Sequence, residues 1–167
     1  MRGWLLLILA VVVGGCAGYK VGPTNGVPAG SRTVKFAPFV NKTLEPRVTE
    51  YLGNSLRKQL QQDGTYRLET SGSPDIMVTG EVTRLLRSIL SYDPNDVLTP
   101  NEYQLTLEAH IRAININTGK TIVDNKVTGT TFIRVGNDEF SSERQAIPLL
   151  TDTLAHNAIS MLVDGPW

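Results

Sequence analysis

Val48, Leu52, Leu56 and Leu60 recur at four-residue spacing, so a helix through them carries one apolar stripe. Tyr51 lies one step round on the same side, and Arg47, Glu50, Asn54, Arg57, Lys58 and Gln61 occupy the other. A short helix is marginal in water, so this stripe requires a sheet or a second helix to cover it. The preceding residues are extended, with Val34, Phe36 and Pro38 on one side. Asn41-Lys42-Thr43 breaks that strand, because Asn and Thr favour local side-chain-to-backbone bonds. Pro46 suits a first helical turn, and Asp63-Gly64 gives a C-terminal stop.

The rest of the chain supplies the cover. Tyr66, Leu68 and Thr70 fit a short edge strand, and Ser71-Gly72-Ser73-Pro74 a loop. From Asp75 to Tyr92, Ile76, Val78 and Val82 alternate with Met77, Thr79, Glu81 and Thr83. Gly80 marks a bulge or a close backbone approach. The alternation falters at Arg84-Leu85-Leu86-Arg87, which a bulge that flips the faces explains. Asp93 to Asn101 holds two prolines and reads as a loop or wide hairpin. Glu102 to Asn117 is the clearest strand. Tyr103, Leu105, Leu107, Ala109, Ile111 and Ala113 face one way, and Gln104, Thr106, Glu108, His110 and Arg112 the other. Asn117-Thr118-Gly119-Lys120 is a hairpin signal, and the strand after it places Val123, Val127, Gly129, Thr131 and Ile133 on one side.

Gly136-Asn137-Asp138 predicts a turn before a final helix striped by Ile147, Leu150, Leu154, Ala158, Met161 and Leu162. Ser141 or Ser142 can cap it, and Ser142 with Gln145 fits a capping box. Pro148 predicts a kink or a start near that residue, and Asp164-Gly165-Pro166 ends the helix. The order β-α-β-β-β-α predicts an α+β two-layer sandwich. Its antiparallel or mixed sheet of about four strands is covered on one face by two helices, within residues 32–164.

Ahead of the domain, Arg2 precedes an apolar run from Trp4 to Val13, long enough for a signal peptide and too short to span a bilayer. Gly14-Gly15-Cys16 follows, small residues before the only cysteine, as at a lipoprotein cleavage site. Residues 1–15 therefore read as a lipoprotein signal peptide, and Cys16 as the lipid-attachment residue that tethers the chain to a membrane. Residues 16–31 are a Gly- and Pro-rich tether.

Chemistry is sparse. His110 and His156 lack HxH or HExxH spacing, and His110 reads as a solvent-facing strand residue. No second cysteine permits a CxxC site, and neither a nucleophile elbow nor a Gly-rich phosphate loop is present. Asp93 and Asp96 bring too few oxygen ligands together for a cation. No enzyme, cofactor or resident metal is indicated. Lys plus Arg and Asp plus Glu balance at 16 each, so no field demands nucleic acid. Binding remains, and Arg84, Arg87, Lys120, Lys126 and Arg134 read either as a solvated outer sheet face or as contacts for the phosphates of an anionic glycolipid.

A family resemblance runs through these segments. Cys16-Ala17-Gly18-Tyr19-Lys20-Val21 with Val27-Pro28, Phe39-Val40-Asn41-Lys42-Thr43, Gly64-Thr65-Tyr66-Arg67-Leu68 and Glu102-Tyr103-Gln104 resemble the LptE family of lipopolysaccharide-assembly lipoproteins. The resemblance covers Cys16 to about Leu162. It implies a non-enzymatic subunit of the lipopolysaccharide translocon that binds lipopolysaccharide and helps assemble and plug an LptD-like β-barrel. Ala17 after Cys16, by similarity to enterobacterial lipoproteins, implies outer-membrane sorting. One departure concerns the Tyr92–Asn101 segment, which carries Asp93 and Asp96 and no Lys or Arg, against glycolipid contact at that tip.

Two alternatives stand beside it. An LpoB-like activator of a peptidoglycan synthase shares the strand, Asn/Thr turn and helix start. It needs a long tether, whereas Cys16 to Arg32 spans at most ~50 Å. A CsgG-like channel subunit needs a long amphipathic segment to build a barrel, and none is spare.

Overall fold

The computed structural model describes residues 28–134 and 139–164. Cys16, most of the tether and the Gly136-Asn137-Asp138 turn lie outside them. In chain order the elements are β1 (Thr33–Phe36), β2 (Val40–Asn41), α1 (Val48–Asp63), β3 (Arg67–Leu68), β4 (Ile76–Asp93), β5 (Asp96–Asn115), β6 (Thr121–Arg134) and α2 (Glu139–Asp164). The strands form one mixed sheet in the order β3-β1-β4-β5-β6, with β2 also beside β4. β1 lies parallel to β3 and to β4, β2 lies parallel to β4, and β4, β5 and β6 are antiparallel. This is the expected α+β class with six strands in place of four. The short edge strand expected around Leu68 is β3, and β2 is a two-residue strand too short to show a period-2 pattern.

One face of the sheet carries the core. Val34, Ile76, Val82, Leu105 and Leu107 are fully buried on it, and Leu52, Leu56, Leu150 and Leu154 meet them from the helices. Burying side chains of this size contributes about 1.5–3 kcal/mol each. The two helices pack against each other, α2 over β5 and β6 and α1 toward β2 and β3. Lys58 Nζ to Asp152 Oδ1, at 3.1 Å, joins their outer edges. One space between helices and sheet, lined by Phe36, Leu56, Val78 and Ile159 among others, is about 10 Å³. That is at most one water, so this part of the core offers no room for an acyl chain, and a cleft of about 320 Å³ opens between α1 and residues 36–39.

Two glycines permit close approach. A Cβ on Gly129 of β6 would stand 2.6 Å from the Leu150 carbonyl oxygen and 2.6 Å from the Leu154 nitrogen of α2. At Gly80 it would meet the Phe39 ring at 2.5 Å and the His110 carbonyl oxygen at 2.6 Å. Gly80 is therefore the close approach anticipated, and the bulge lies further on. Val82 faces Ala109 and Arg84 faces Glu108, so Thr83 is the extra residue. Past it, Leu85 rather than Arg84 shares the core side with Leu107.

Several boundaries differ from those expected. α1 begins at Val48, after a Pro46-Arg47 turn, so Pro46 lies outside the helix. The turn ahead of it is held by Asn41, whose Oδ1 accepts from the Thr43 N–H at 2.9 Å and whose Nδ2 donates to the Glu45 carbonyl at 2.8 Å. Gly64, with φ of 76°, closes α1 and donates its N–H to Leu60 O, as expected. β1 ends at Phe36, and Pro38 is exposed.

α2 runs unbroken through Pro148, with Ser141 and Ser142 inside it, so neither a capping box there nor a start near Pro148 holds. Proline inside a helix costs about 3 kcal/mol. Ala146, Ile147 and Leu150, buried around it, offset that cost by holding both sides of the helix on the sheet. The segment after Tyr92, expected as a loop or wide hairpin, is a hairpin with strand on both sides of a two-residue turn, Pro94-Asn95. Asp93 Oδ1 accepts from the Asn95 N–H at 2.7 Å and closes that turn.

Candidate functional site

The helices cover one face of the sheet and leave the other open. The bulge at Thr83 decides which β4 side chains reach that open face. Arg84 stands on it opposite Glu108 of β5, and Lys126 of β6 reaches the same carboxylate from the far side. Arg84 Nε lies 2.9 Å from Glu108 Oε2, and Lys126 Nζ lies 2.7 Å from Oε1. One carboxylate thus bridges two cations across three adjacent strands. Thr83 Oγ1 donates to the Glu108 carbonyl at 3.1 Å and fixes the backbone at the bulge. The Glu108 side chain is only 10% exposed, against 62% for Arg84 and 51% for Lys126, so the cations roof the anion. The hydrogen bond from Lys126, then the Arg84 charge, holds its carboxyl below the usual carboxylate range, against burial pushing it up.

The pattern continues along the face. Asp124 of β6 lies 3.2 Å from His110 Nε2 and 3.6 Å from Arg112 Nε. Glu102 accepts from Arg134 at 2.7 Å and 3.1 Å, which holds its carboxyl below the usual range. Lys42 Nζ lies 2.6 Å from Glu81 Oε2 at the β2 edge. A cleft of about 440 Å³ opens beside Arg84, lined by Lys42, Thr43, Leu44, Leu86 and Glu143. Arg84 belongs both to this cleft and to the Glu108 cluster.

The five cations read from the sequence therefore separate. Arg84 and Lys126 come together at Glu108, and Arg134 stands on the same face about 20 Å along β5. Arg87 falls on the helix side, ion-paired with Glu143 of α2 and stacked over the Tyr103 ring with 5.4 Å to its centroid. Lys120 sits in the β5–β6 turn at the opposite end of the sheet. Glu108, which organises the site, escaped the sequence reading. The only signal was its position as an acid among the outward residues of β5.

Among the described residues no group of three or more His, Cys, Asp or Glu is arranged to hold a metal ion. Asp96 accepts from the Leu98 N–H at 3.0 Å and from Thr99 Oγ1, so its carboxylate serves the hairpin itself.

A two-layer module with its polar chemistry on an open sheet face is the class of protein defined by this fold and site. Within that class the chain belongs to the LptE family: the family model, described as lipopolysaccharide-assembly, matches residues 31–163. No curated protein matches the chain. Solved structures share the fold. Protein XCC0632 from Xanthomonas campestris aligns with a TM-score of 0.60 at 10% identity, over 87% of this chain and 91% of that one. A minor lipoprotein from Acinetobacter baumannii aligns at 0.53 and 15% identity, over 80% and 93%. The hypothetical protein CT253 from Chlamydia trachomatis aligns at 0.54 and 11% identity, over 78% and 95%.

Proposed function

We propose that this protein is a non-enzymatic outer-membrane lipoprotein of the lipopolysaccharide translocon. It is anchored through Cys16, binds lipopolysaccharide on its open sheet face, and assists the folding and plugging of an LptD-like β-barrel. The observation that carries this reading is the family match over the whole folded domain, residues 31–163. Two physical features support it. The space between Leu56, Val78 and Ile159 is too small for an acyl chain, so a glycolipid meets this part of the domain from outside. The open face offers Arg84, Lys126 and Arg134 to phosphates, while a barrel lumen is polar and closed and suits a compact module with such a face. Arg87 and Lys120 are placed away from that face and are assigned no glycolipid contact. No comparison favours the peptidoglycan-synthase activator.

Depletion of the protein is expected to lower lipopolysaccharide at the cell surface while peptidoglycan synthesis continues. Unchanged surface lipopolysaccharide after depletion would reject the translocon role. The anchor is tested separately. Cys16→Ala is expected to yield protein without acyl chains and released from membranes, and mass spectrometry of the mature wild-type N-terminus should find a lipidated Cys16. An unmodified terminus beginning elsewhere would reject it.

A further inference from the structure

We propose that Glu108 is an internal competitor for phosphate: its carboxylate occupies the Arg84–Lys126 site that a phosphomonoester group takes when the protein binds one. The inference rests on the reading that this face meets lipopolysaccharide, and adds how binding there is tuned. Glu108 offers one oxygen to each cation, at 2.9 Å and 2.7 Å. A phosphomonoester offers the same two-oxygen bridge with greater charge, about −1.5 to −2. The cations are more than half exposed and the carboxylate is almost covered, so the long side chains can swing toward a ligand while Glu108 stays fixed in the sheet.

That swing weakens the compensation of a nearly buried anion and sets it beside the incoming phosphate. Both effects oppose binding. The arrangement therefore lowers affinity for phosphate in general and leaves the contact exchangeable, as a glycolipid in transit requires. The cleft beside Arg84 supplies the approach, with Lys42 on its rim.

The test uses the mature chain with Cys16→Ala, which lacks acyl chains and so is not held on every vesicle by its anchor. Binding is measured to neutral phosphatidylcholine vesicles carrying lipopolysaccharide, to vesicles carrying lipopolysaccharide with its lipid A phosphates removed, and to inorganic phosphate. Glu108→Gln is expected to bind the phosphorylated vesicles about tenfold tighter than wild type. The gain should vanish on the dephosphorylated vesicles and in the triple variant Glu108→Gln, Arg84→Gln, Lys126→Gln. A parallel gain on inorganic phosphate assigns recognition to the phosphate itself, and a gain on vesicles alone assigns it to the lipid headgroup. Should Glu108→Gln not fold, the same comparison is made in a Lys126→Gln background, where the freed Arg84 should again bind tighter. Wild-type binding with no gain in the Glu108 variant overturns the competitor and leaves the glycolipid reading intact. Absence of binding by both wild type and variant overturns both. A gain that survives in the triple variant, which is one charge more negative than wild type, shows that the gain does not pass through Arg84 and Lys126 and also overturns the proposal.

Discussion

Asp75 shows how much a single carboxylate organises in this chain. Its Oδ2 accepts from the Thr33 N–H at 2.8 Å and the Thr33 hydroxyl at 2.9 Å, and its Oδ1 accepts from Asn117 at 3.1 Å. One side chain so ties the start of β1 to the start of β4 and to the β5–β6 turn. These bonds, the backbone one foremost, hold its carboxyl below the usual range, as ion pairs do for Glu102 and Glu108. A carboxyl depressed in the folded state contributes stability above its unfolded pKa and loses it as pH falls through the folded value. Tyr66 acts at the other limb, because burial pushes its phenol from 10.0 up to about 12. Its contribution is complete below pH 10 and is lost as pH rises toward 12. Denaturant midpoints followed across pH should therefore hold steady through neutrality and fall at both ends, the acid fall beginning in the ordinary carboxylate range and continuing below it. Midpoints that stay flat as pH falls through and below that range would show that these carboxyls are not held as described.

At the scale of elements, period decides what is legible. β5 alternates cleanly because one side of it lies on the core and the other is open, so Leu105, Leu107, Ala109 and Ile111 could be read from the sequence. The faltering after Thr83 was readable as a bulge for the same reason. The β4–β5 tip was readable only as a loop or wide hairpin, because Pro94 and Pro100 argue against strand. Pro94 in fact occupies the turn, and Pro100 pairs with Tyr92 near the end of the ribbon, beyond the last β6 pairing at Glu102. The start of α2 was hidden by Pro148 in a similar way. Site geometry was half legible: Arg84 and Arg87 are three apart, an odd spacing that in a strand sends them to opposite faces. The meeting of Arg84, Glu108 and Lys126 depends on the register of three strands and has no local signature. The helix stripe is the strongest energetic statement the sequence makes. Leu56 is 1% exposed, so Leu56→Ala should cost roughly 2–5 kcal/mol in denaturant unfolding. A loss under about half a kcal/mol would show that the stripe does not carry the core.

The whole molecule divides its labour between faces. The helical face is committed to the core, and the open face carries a lattice of ion pairs in which the carboxylates of Glu81, Glu102, Glu108 and Asp124 each hold a cation. Such a surface gives little stability, because exposed pairs contribute about 0–1 kcal/mol. It is suited to exchange partners with another polar surface or with phosphates. In the proposed function that surface lies inside a barrel, close to a membrane to which Cys16 tethers the chain. Partnership with a barrel is tested by affinity purification of the tagged lipoprotein from detergent-solubilised outer membrane. One large β-barrel should be recovered in near-equal amount, and retained when Arg84 and Lys126 are both reversed to Glu. Recovery of a peptidoglycan synthase in place of a barrel, or of the lipoprotein alone, would contradict that partnership.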